Sequence, residues 1–416
     1  MTGDVPAPTG TTPSSGPSTP AAPARRSDAV ASLAVAAVAF VVVTGETLPV
    51  GLISDVARGV DADESEVGLT VGWYALVAAV SAVPLTRLTA RLDRRTVLVG
   101  CALVFAGGHV VAALATDLWV LLVGRSVAAL THGIYFAVAT PAVVRLARPE
   151  ARVRAGGQVA VGASVALVLG TPLATLLGQA AGWRIAMLVV AAVATVLALV
   201  VARLLGPLPA LQRSGPRSAD GVLATLRSRP LAVVMVITVV LVTGHFALFT
   251  YVAPYADERL GVHGATFSVV LLVYGGAAVV GSTLAGRVAE ARPVGGVRVG
   301  AVVFTLASAG LWVAAQLGAR PAGVVLLVVW GGTFSLLAVS TGLAVLRRVP
   351  GTRSETAFAV HGIVFQAGIV AGSALGSLGH RTGHLAQIPW VTATAGLLVL
   401  ALLLGAGRAF RGGQPT

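Results

Sequence analysis

The sequence predicts an all-α integral membrane protein with twelve transmembrane helices in two pseudo-symmetric six-helix halves. Three observations lead to this fold class: an apolar composition, twelve apolar stretches, and an internal repeat at an offset near 200 residues. Of the 416 residues, 56% are hydrophobic and 11% are charged, and the mean hydropathy is +0.89. A soluble domain carries about 25% charged residues. The composition therefore excludes a soluble enzyme and a nucleic-acid-binding protein, despite a formal net charge of +13.

The basic residues and the single cysteine exclude several kinds of chemistry. All 29 basic residues are arginines, and a chain without lysine can form neither a P-loop nucleotide site nor a lysine Schiff base. Cys101 alone allows no intrachain disulfide and no thiolate metal cluster. The chain contains no HExxH zinc motif. We therefore expect no enzymatic activity, no cofactor and no metal site.

Twelve stretches reach about 20 apolar residues, the length that crosses a bilayer. They are predicted at residues 30–53, 68–88, 96–116, 118–143, 156–178, 183–204, 230–254, 265–286, 297–318, 321–346, 356–378 and 386–406. The one long connection contains Pro, Gly, Ser and four arginines, and it follows the sixth stretch. We expect an N-terminal half at 28–204, a cytoplasmic linker at 205–229 and a C-terminal half at 230–406. The proline-rich residues 1–27 are interpreted as a disordered cytoplasmic tail, and residues 407–416 as a second cytoplasmic tail.

The arginines also predict the orientation of the chain. If both termini are cytoplasmic, the cytoplasmic segments hold 23 arginines and the outer loops hold five. The outer loops instead carry acids such as Asp61 and Glu64. This asymmetry follows the positive-inside rule, so the partner of the positive charge is the anionic surface of the lipid bilayer and not a nucleic acid. The arginine- and alanine-rich composition indicates a GC-rich bacterial genome, so we expect a multi-pass protein of the bacterial inner (plasma) membrane.

The two halves share short matches in equivalent predicted helices. The matched pairs are Thr44-Gly45-Glu46 with Thr243-Gly244-His245, residues 86–91 with residues 286–291, and Gly133-Ile134-Tyr135 with Gly332-Thr333-Phe334. All three pairs are 199–200 residues apart, which indicates a duplicated six-helix unit. Repeats of this kind build transporters whose substrate site lies near the membrane midplane between the halves. We therefore expect a small-molecule substrate.

Five stretches carry a resemblance to a known family: TGETLPVGLISDVA, WYALVAAVSAVPLTRLTARLDRR, GRSVAALTHGIYFAVAT, GTPLATLLGQAAGWR and FALFTYVAPY. The chain resembles the major facilitator superfamily, in particular its twelve-helix drug:proton antiporter branch, which includes chloramphenicol- and sugar-efflux proteins. The resemblance implies a proton-coupled secondary active exporter of drugs, antibiotics or metabolites that works by alternating access. The alternatives are a sugar or metabolite permease of the same fold, or a membrane receptor that no longer transports. One polypeptide with both repeats can be complete, so we expect a monomer.

The family has a signature motif in the loop after its second helix, G-x-L-A-D-R-x-G-R-K. In this chain the motif corresponds to residues 86–95. Arg91, Arg94 and Arg95 remain, and Asp93 stands where the second glycine of the pattern belongs. In the family this loop helps to latch the halves in the outward-open state. The resemblance therefore implies that these four residues form a conformational loop.

Four ionisable residues are candidates for proton coupling. Glu46 is the only carboxylate placed well inside a predicted helix, and an intramembrane acid usually marks an ion or substrate pathway. The family has an acid at this position and an arginine at the position of Arg125. Arg125 keeps its proton and needs a partner, so the alternative is a static ion pair, with Glu46 itself as one possible partner. His132 lies two turns after Arg125, and His245 is the repeat equivalent of Glu46. Either histidine is a proton relay or a neutral, hydrogen-bonded ring.

Aromatic residues near the midplane are candidates for the wall of a substrate cavity, with packing or anchoring of helix ends as the alternative. Gln366 is a polar candidate for a substrate contact. The aromatic candidates are Tyr74, Tyr135, Phe136, Phe246, Phe249, Tyr251, Trp330 and Phe334.

Overall fold

The computed structural model describes residues 26–148, 151–209, 227–292, 294–349 and 353–406. Residues 1–25 of the expected N-terminal tail, the expected tail at 407–416 and most of the expected linker therefore lie outside the described residues, whereas residues 26 and 27 belong to the first helix. The linker begins where a helix ends at Leu204, and the next described helix begins at Arg229.

Twelve helices in the described part of the chain are long and apolar enough to cross a membrane, which confirms the predicted fold class. The fifth is interrupted by a π-helical turn at Ala166–Gly170. The helices are α1 Arg26–Gly51, α2 Glu64–Leu88, α3 Arg94–Ala113, α4 Leu118–Leu146, α5 Arg152–Val165 with Thr171–Ala181, α6 Trp183–Leu204, α7 Arg229–Phe249, α8 Gly264–Ala291, α9 Gly295–Gln316, α10 Arg320–Arg348, α11 Arg353–Arg381 and α12 Ile388–Ala406.

The repeat is also visible outside the membrane helices. A short helix, Ile53–Gly59, follows α1, and a second short helix, Val252–Tyr255, follows α7. The two begin 199 residues apart, the same offset as the sequence matches. The duplication therefore includes the turn that leaves the first helix of each half.

The halves contact each other along two helix pairs, α2 with α11 and α5 with α8. The repeat relates α2 to α8 and α5 to α11, so the two contacts are equivalent. Gly72 of α2 and Gly275 of α8 lie at these contacts, and a Cβ atom on either would run into the facing helix. Small residues allow membrane helices to approach closely, and these two glycines bring the halves together.

Polar contacts between the halves cluster at one end of the bundle, where α2 begins and α11 ends, which we call the Glu64 end. There the Glu64 carboxylate lies 3.1 Å from the His380 imidazole, and Ser268 of α8 donates to Gln179 of α5 at 3.1 Å. At the opposite end, the Arg91 end, Arg298 bonds within its own half. The described polar contacts therefore join the halves at the Glu64 end.

Cysteine labelling tests which end faces the cell exterior. Thr116 and Leu92 are exposed at the Glu64 end and the Arg91 end, respectively, and the single native cysteine is buried. We expect Thr116→Cys to react with a membrane-impermeant maleimide in intact cells and Leu92→Cys to react only after permeabilisation, because 23 arginines are placed on the cytoplasmic side. The reverse labelling pattern would contradict the arginine-based orientation.

Candidate functional site

A proline inside α1 opens the first part of the site. Pro49 has no N–H, so the carbonyl oxygen of Gly45, four residues earlier, loses its helical donor. The Arg125 guanidinium of α4 fills this position: Nη1 lies 3.5 Å from the Gly45 oxygen, and Nη2 donates to the Glu46 main-chain oxygen at 3.0 Å. Nε donates to the Thr70 oxygen of α2 at 3.4 Å. One buried side chain thus joins three helices.

The Arg125 guanidinium also contacts an aromatic ring. The guanidinium lies 4.9 Å from the centre of the Tyr74 ring, a cation–π geometry that is favourable where water is excluded. One of the predicted alternatives is an ion pair between Arg125 and the Glu46 carboxylate. In the structure, these two side chains do not form that ion pair. Arg125 instead binds the main-chain oxygens of Gly45 and Glu46, and the Gly45 oxygen is the one that Pro49 leaves without a helical donor.

The Glu46 carboxylate faces His132 instead. Its Oε2 atom lies 3.5 Å from Nδ1 of His132, and the two side chains are 13% and 18% exposed. This is ion-pair distance, but Nδ1 makes no hydrogen bond. A carboxylate and an imidazole so placed can share or pass on a proton. Among the sequence candidates, the structure therefore brings Glu46, Arg125 and His132 together.

Aromatic residues surround this polar group. The His132 ring lies 5.9 Å from Tyr74 and 5.0 Å from Phe136. The Tyr74 hydroxyl is buried and has no hydrogen-bond partner. Tyr135 points away from the group and donates to the main-chain oxygen of Val35, which packs α4 on α1. Tyr74 and Phe136 therefore belong to the site, whereas Tyr135 supports the helices behind it.

The second cluster lies in the C-terminal half, around His245. The His245 ring stacks on Phe334 at 3.4 Å between ring centres, on Trp330 at 4.3 Å and on Phe249 at 5.3 Å. Phe246 meets it edge-on at 5.4 Å. Four of the predicted aromatics thus converge on one histidine. This enclosure favours a packing or hydrogen-bonding role for His245 over exchange of protons with water.

Tyr274 of α8 completes this cluster, although the sequence reasoning did not select it. Its hydroxyl lies 3.3 Å from Nε2 of His245. If the hydroxyl donates, only the Nδ1 proton of His245 is left unpaired, whereas the reverse would leave both the tyrosine proton and the Nδ1 lone pair unpaired. The hydroxyl is therefore the donor. Tyr274 lies 200 residues after Tyr74, so the repeat offset is the signal that would have found it.

Tyr251 and Gln366 lie outside the His245 cluster, whereas Trp330 belongs to it and also packs into the interior of the C-terminal half. Tyr251 lies at the Glu64 end, because α7 already ends at Phe249. Trp330 is fully buried and also stacks on Phe304 of α9 at 6.3 Å, which places it inside the C-terminal half. Gln366 is partly exposed on α11, and its amide nitrogen is buried without a hydrogen-bond partner. Gln366 thus retains an unused donor.

The predicted conformational loop is held against its own half. Asp93 caps α3 by accepting from a backbone N–H of the first turn at 3.2 Å. Arg94 is buried and donates to a carbonyl of the loop at 3.3 Å, and Arg95 donates to the Ala202 oxygen at the end of α6. Arg91 is exposed. Arg94 and Arg95 therefore fix the position of the loop, and Arg91 is exposed, without a hydrogen bond or ion pair to the described residues.

The remaining buried histidines are hydrogen-bonded within their own halves, which agrees with packing. His109 contacts the Phe105 oxygen at 3.1 Å, and His361 contacts Thr341 at 3.0 Å. Within the described ranges, no group of three His, Cys, Asp or Glu side chains is arranged to hold a metal ion.

Comparison with known proteins is consistent with this architecture. The model of a family described as the Major Facilitator Superfamily matches residues 35–373. A chloramphenicol efflux pump of Mycobacterium tuberculosis is 36% identical over 374 residues, which cover 88% of this chain and 89% of the pump. A probable sugar efflux transporter of Mannheimia succiniciproducens is 30% identical over 365 residues, 88% of this chain and 90% of that protein. The crystal structure of a D-xylose-proton symporter shares the fold with a TM-score of 0.72 and 14% identity over 93% of this chain and 100% of the symporter.

A glycine substitution tests the packing of the His245 cluster. A Cβ atom on Gly331 would run into the Tyr274 ring, whereas a Cβ atom on Gly107 would meet nothing within 4 Å. We expect Gly331→Ala to lower the free energy of unfolding by about 1–3 kcal/mol through overpacking, measured as a lower Tm in detergent. Gly107→Ala is the matched control, and its Tm should stay the same or rise. Equal Tm values for the two variants would contradict the tight approach of Tyr274 to α10.

Proposed function

The chain belongs to the major facilitator superfamily and is a transporter, not an enzyme, and from this premise we propose that it is a proton-coupled exporter of small molecules. The proposal rests on one observation: the Glu46 carboxylate lies beside His132, whereas Arg125 binds the main-chain oxygen of Glu46 and not its carboxylate. A carboxylate with a fixed cation close by but not paired to it is able to gain and lose a proton without breaking the fold.

The proposed carrier is Glu46, with His132 as its partner. The Glu46 carboxyl group binds a proton when the site faces the side of high proton activity, and it releases the proton when the site faces the side of low proton activity. Its 13% exposure gives access to water, whereas the enclosed His245 is 2% exposed. The Glu46 carboxylate and the Arg125 guanidinium are close enough to interact electrostatically, but they do not hydrogen-bond to each other.

Alternating access gives the proton a direction. We propose that the Glu64 end faces the exterior, that both termini are cytoplasmic, and that the site opens to the cytoplasm while the halves are joined at the Glu64 end. Substrate then enters from the cytoplasm, and a proton enters from outside once the halves separate there. Each proton that moves inward down 100 mV releases about 2.3 kcal/mol, and each pH unit adds about 1.4 kcal/mol. One proton per cycle is enough for severalfold uphill export.

Two types of surface support an amphipathic substrate. The N-terminal half supplies the partly exposed Glu46 and His132 side chains, and α11 supplies the partly exposed Gln366 side chain. The C-terminal half supplies the partly exposed rings Phe246 and Phe334. A drug, antibiotic or metabolite with a hydroxyl or amide group on one side and an apolar or aromatic body on the other matches both surfaces. The relatives named for chloramphenicol and sugar efflux are consistent with this range.

The wider organisation is part of the same proposal. We take residues 28–204 and 230–406 as the two moving halves and 205–229 as the cytoplasmic linker between them. A monomer is complete, because each half supplies one side of the site. Arg91, which is exposed in the loop between α2 and α3, is proposed to contact the other half when the Arg91 end closes.

Glu46→Gln is the test of proton coupling. The amide mimics the protonated acid at nearly the same size, so we expect exchange of labelled substrate across proteoliposomes to continue and uphill transport driven by a pH gradient to be lost. Radiolabelled chloramphenicol and D-xylose are suitable probes. Glu290→Gln is the matched control, because Glu290 is an exposed carboxylate at the Arg91 end, and this variant should transport like the parent.

The outcomes separate the alternatives. Uphill transport by Glu46→Gln from a pH gradient alone would contradict the role of Glu46 as carrier. Accumulation in the same direction as the proton, abolished by Glu46→Gln, would support the permease alternative. Binding of the probes without transport or exchange by the parent protein would support the receptor alternative.

A further inference from the structure

Three side chains of the C-terminal half converge on two consecutive residues of the N-terminal half. The Tyr251 hydroxyl, just after α7, and the Ser377 hydroxyl of α11 both donate to the main-chain oxygen of Ser65, each at 3.0 Å. The neighbouring Glu64 carboxylate lies 3.1 Å from Nε2 of His380. The first turn of α2 is therefore bound from two helices at once.

This contact is tightly packed. The Tyr251 ring stacks on the His380 ring at 5.2 Å between centres, and Ser65 and Tyr251 are buried. Gly68 of α2 makes room for Tyr251, because a Cβ atom there would occupy the position of the phenol ring. Glu64 and His380 are 27% and 19% exposed, so solvent protons reach them. The group thus combines a dry, hydrogen-bonded part with an ion pair at its rim.

We propose that Glu64 and His380 form a proton-dependent latch that holds the Glu64 end closed. A protonated His380 makes a charge-assisted bond to the Glu64 carboxylate, which is roughly twice as strong as a bond between neutral groups. The hydrogen bonds from Tyr251 and Ser377 to Ser65 involve hydroxyl groups that do not titrate in the same pH range. These two bonds set the basal affinity between the halves. The latch is separate from Glu46 and stands whether or not Glu46 carries the transported proton.

The charges around the latch fix the direction of its response. Asp63 and Glu258 also face His380, and Arg58 faces Glu64. Below the titration range of the histidine, the ring is positive and the latch is closed. As the pH rises through that range, the positive charge is lost and the closed state loses its ion pair. With the Glu64 end outside, acid surroundings favour the state in which the outer end is closed.

Distance measurement between spin labels tests the latch in the full-length protein. Labels at Leu69→Cys of α2 and Leu378→Cys of α11 occupy exposed positions on the two helices that the latch joins. The background carries Cys101→Ala and Glu46→Gln, so that neither the native thiol nor Glu46 contributes. In lipid nanodiscs, we expect the ratio of short to long distances to fall about threefold between about pH 5.5 and about pH 8.5, the range that spans histidine titration.

Substitutions separate the latch from a passive contact. His380→Arg stays charged and should keep the short distance at both pH values, whereas His380→Gln and Glu64→Gln should lower the short-distance fraction at low pH and abolish the pH response. Tyr251→Phe should lower that fraction at both pH values and keep the response. His384→Gln is the matched control, because the His384 side chain is exposed and, among the described residues, bonds only to Thr382. This variant should behave like the parent.

Two outcomes would overturn the proposal. One is a parent protein whose distances do not change with pH. The other is a full pH response that survives in both His380→Arg and Glu64→Gln, since these two variants alter opposite partners and at least one of them is expected to fold.

Discussion

The arrangement of the site depends on one constraint, the need of every main-chain polar group within a membrane for a partner. Pro49 leaves the Gly45 carbonyl of α1 without its helical donor. Arg125 supplies the donor from α4 and at the same time binds α2 through the Thr70 oxygen. The cation is therefore held by backbone oxygens and an aromatic face, and the Glu46 carboxylate faces a histidine and partial solvent. In the proposed mechanism, the structural contacts and the proton chemistry therefore belong to different atoms of neighbouring residues.

The duplication preserved geometry and changed chemistry. Positions 46 and 245 are equivalent, and so are positions 74 and 274. In the N-terminal half these positions hold Glu46 and Tyr74, and the Tyr74 ring lies against the Arg125 guanidinium. In the C-terminal half they hold His245 and Tyr274, which contact each other within a stack of aromatic rings. The N-terminal half therefore carries a polar, titratable cluster, and the C-terminal half carries an aromatic cluster. This division suits a transporter that couples a proton on one side of its substrate to apolar recognition on the other.

Much of the fold was predictable because hydropathy, helix length and the 199–200 residue repeat all act on whole segments. The grouping of Glu46, Arg125 and His132 followed from helical spacing and family resemblance. The partner of Arg125 did not, because a hydrogen bond to a backbone carbonyl has no residue type to identify it. Tyr251 was expected near the midplane, but its helix ends two residues earlier, and its hydroxyl binds Ser65 at the Glu64 end. Ends of helices depend on tertiary contacts, which hydropathy does not record.

The central claim is that Glu46 changes its protonation state within the bundle while Arg125 keeps its contacts. Infrared difference spectroscopy of the protein in lipid, between low and high pH, measures this directly through the C=O stretch of a protonated carboxylic acid. The account predicts a band that appears as the pH falls, is missing in Glu46→Gln, and shifts in position or midpoint in His132→Gln, which removes the partner of the carboxylate. Identical difference spectra for the parent protein and Glu46→Gln would contradict the claim.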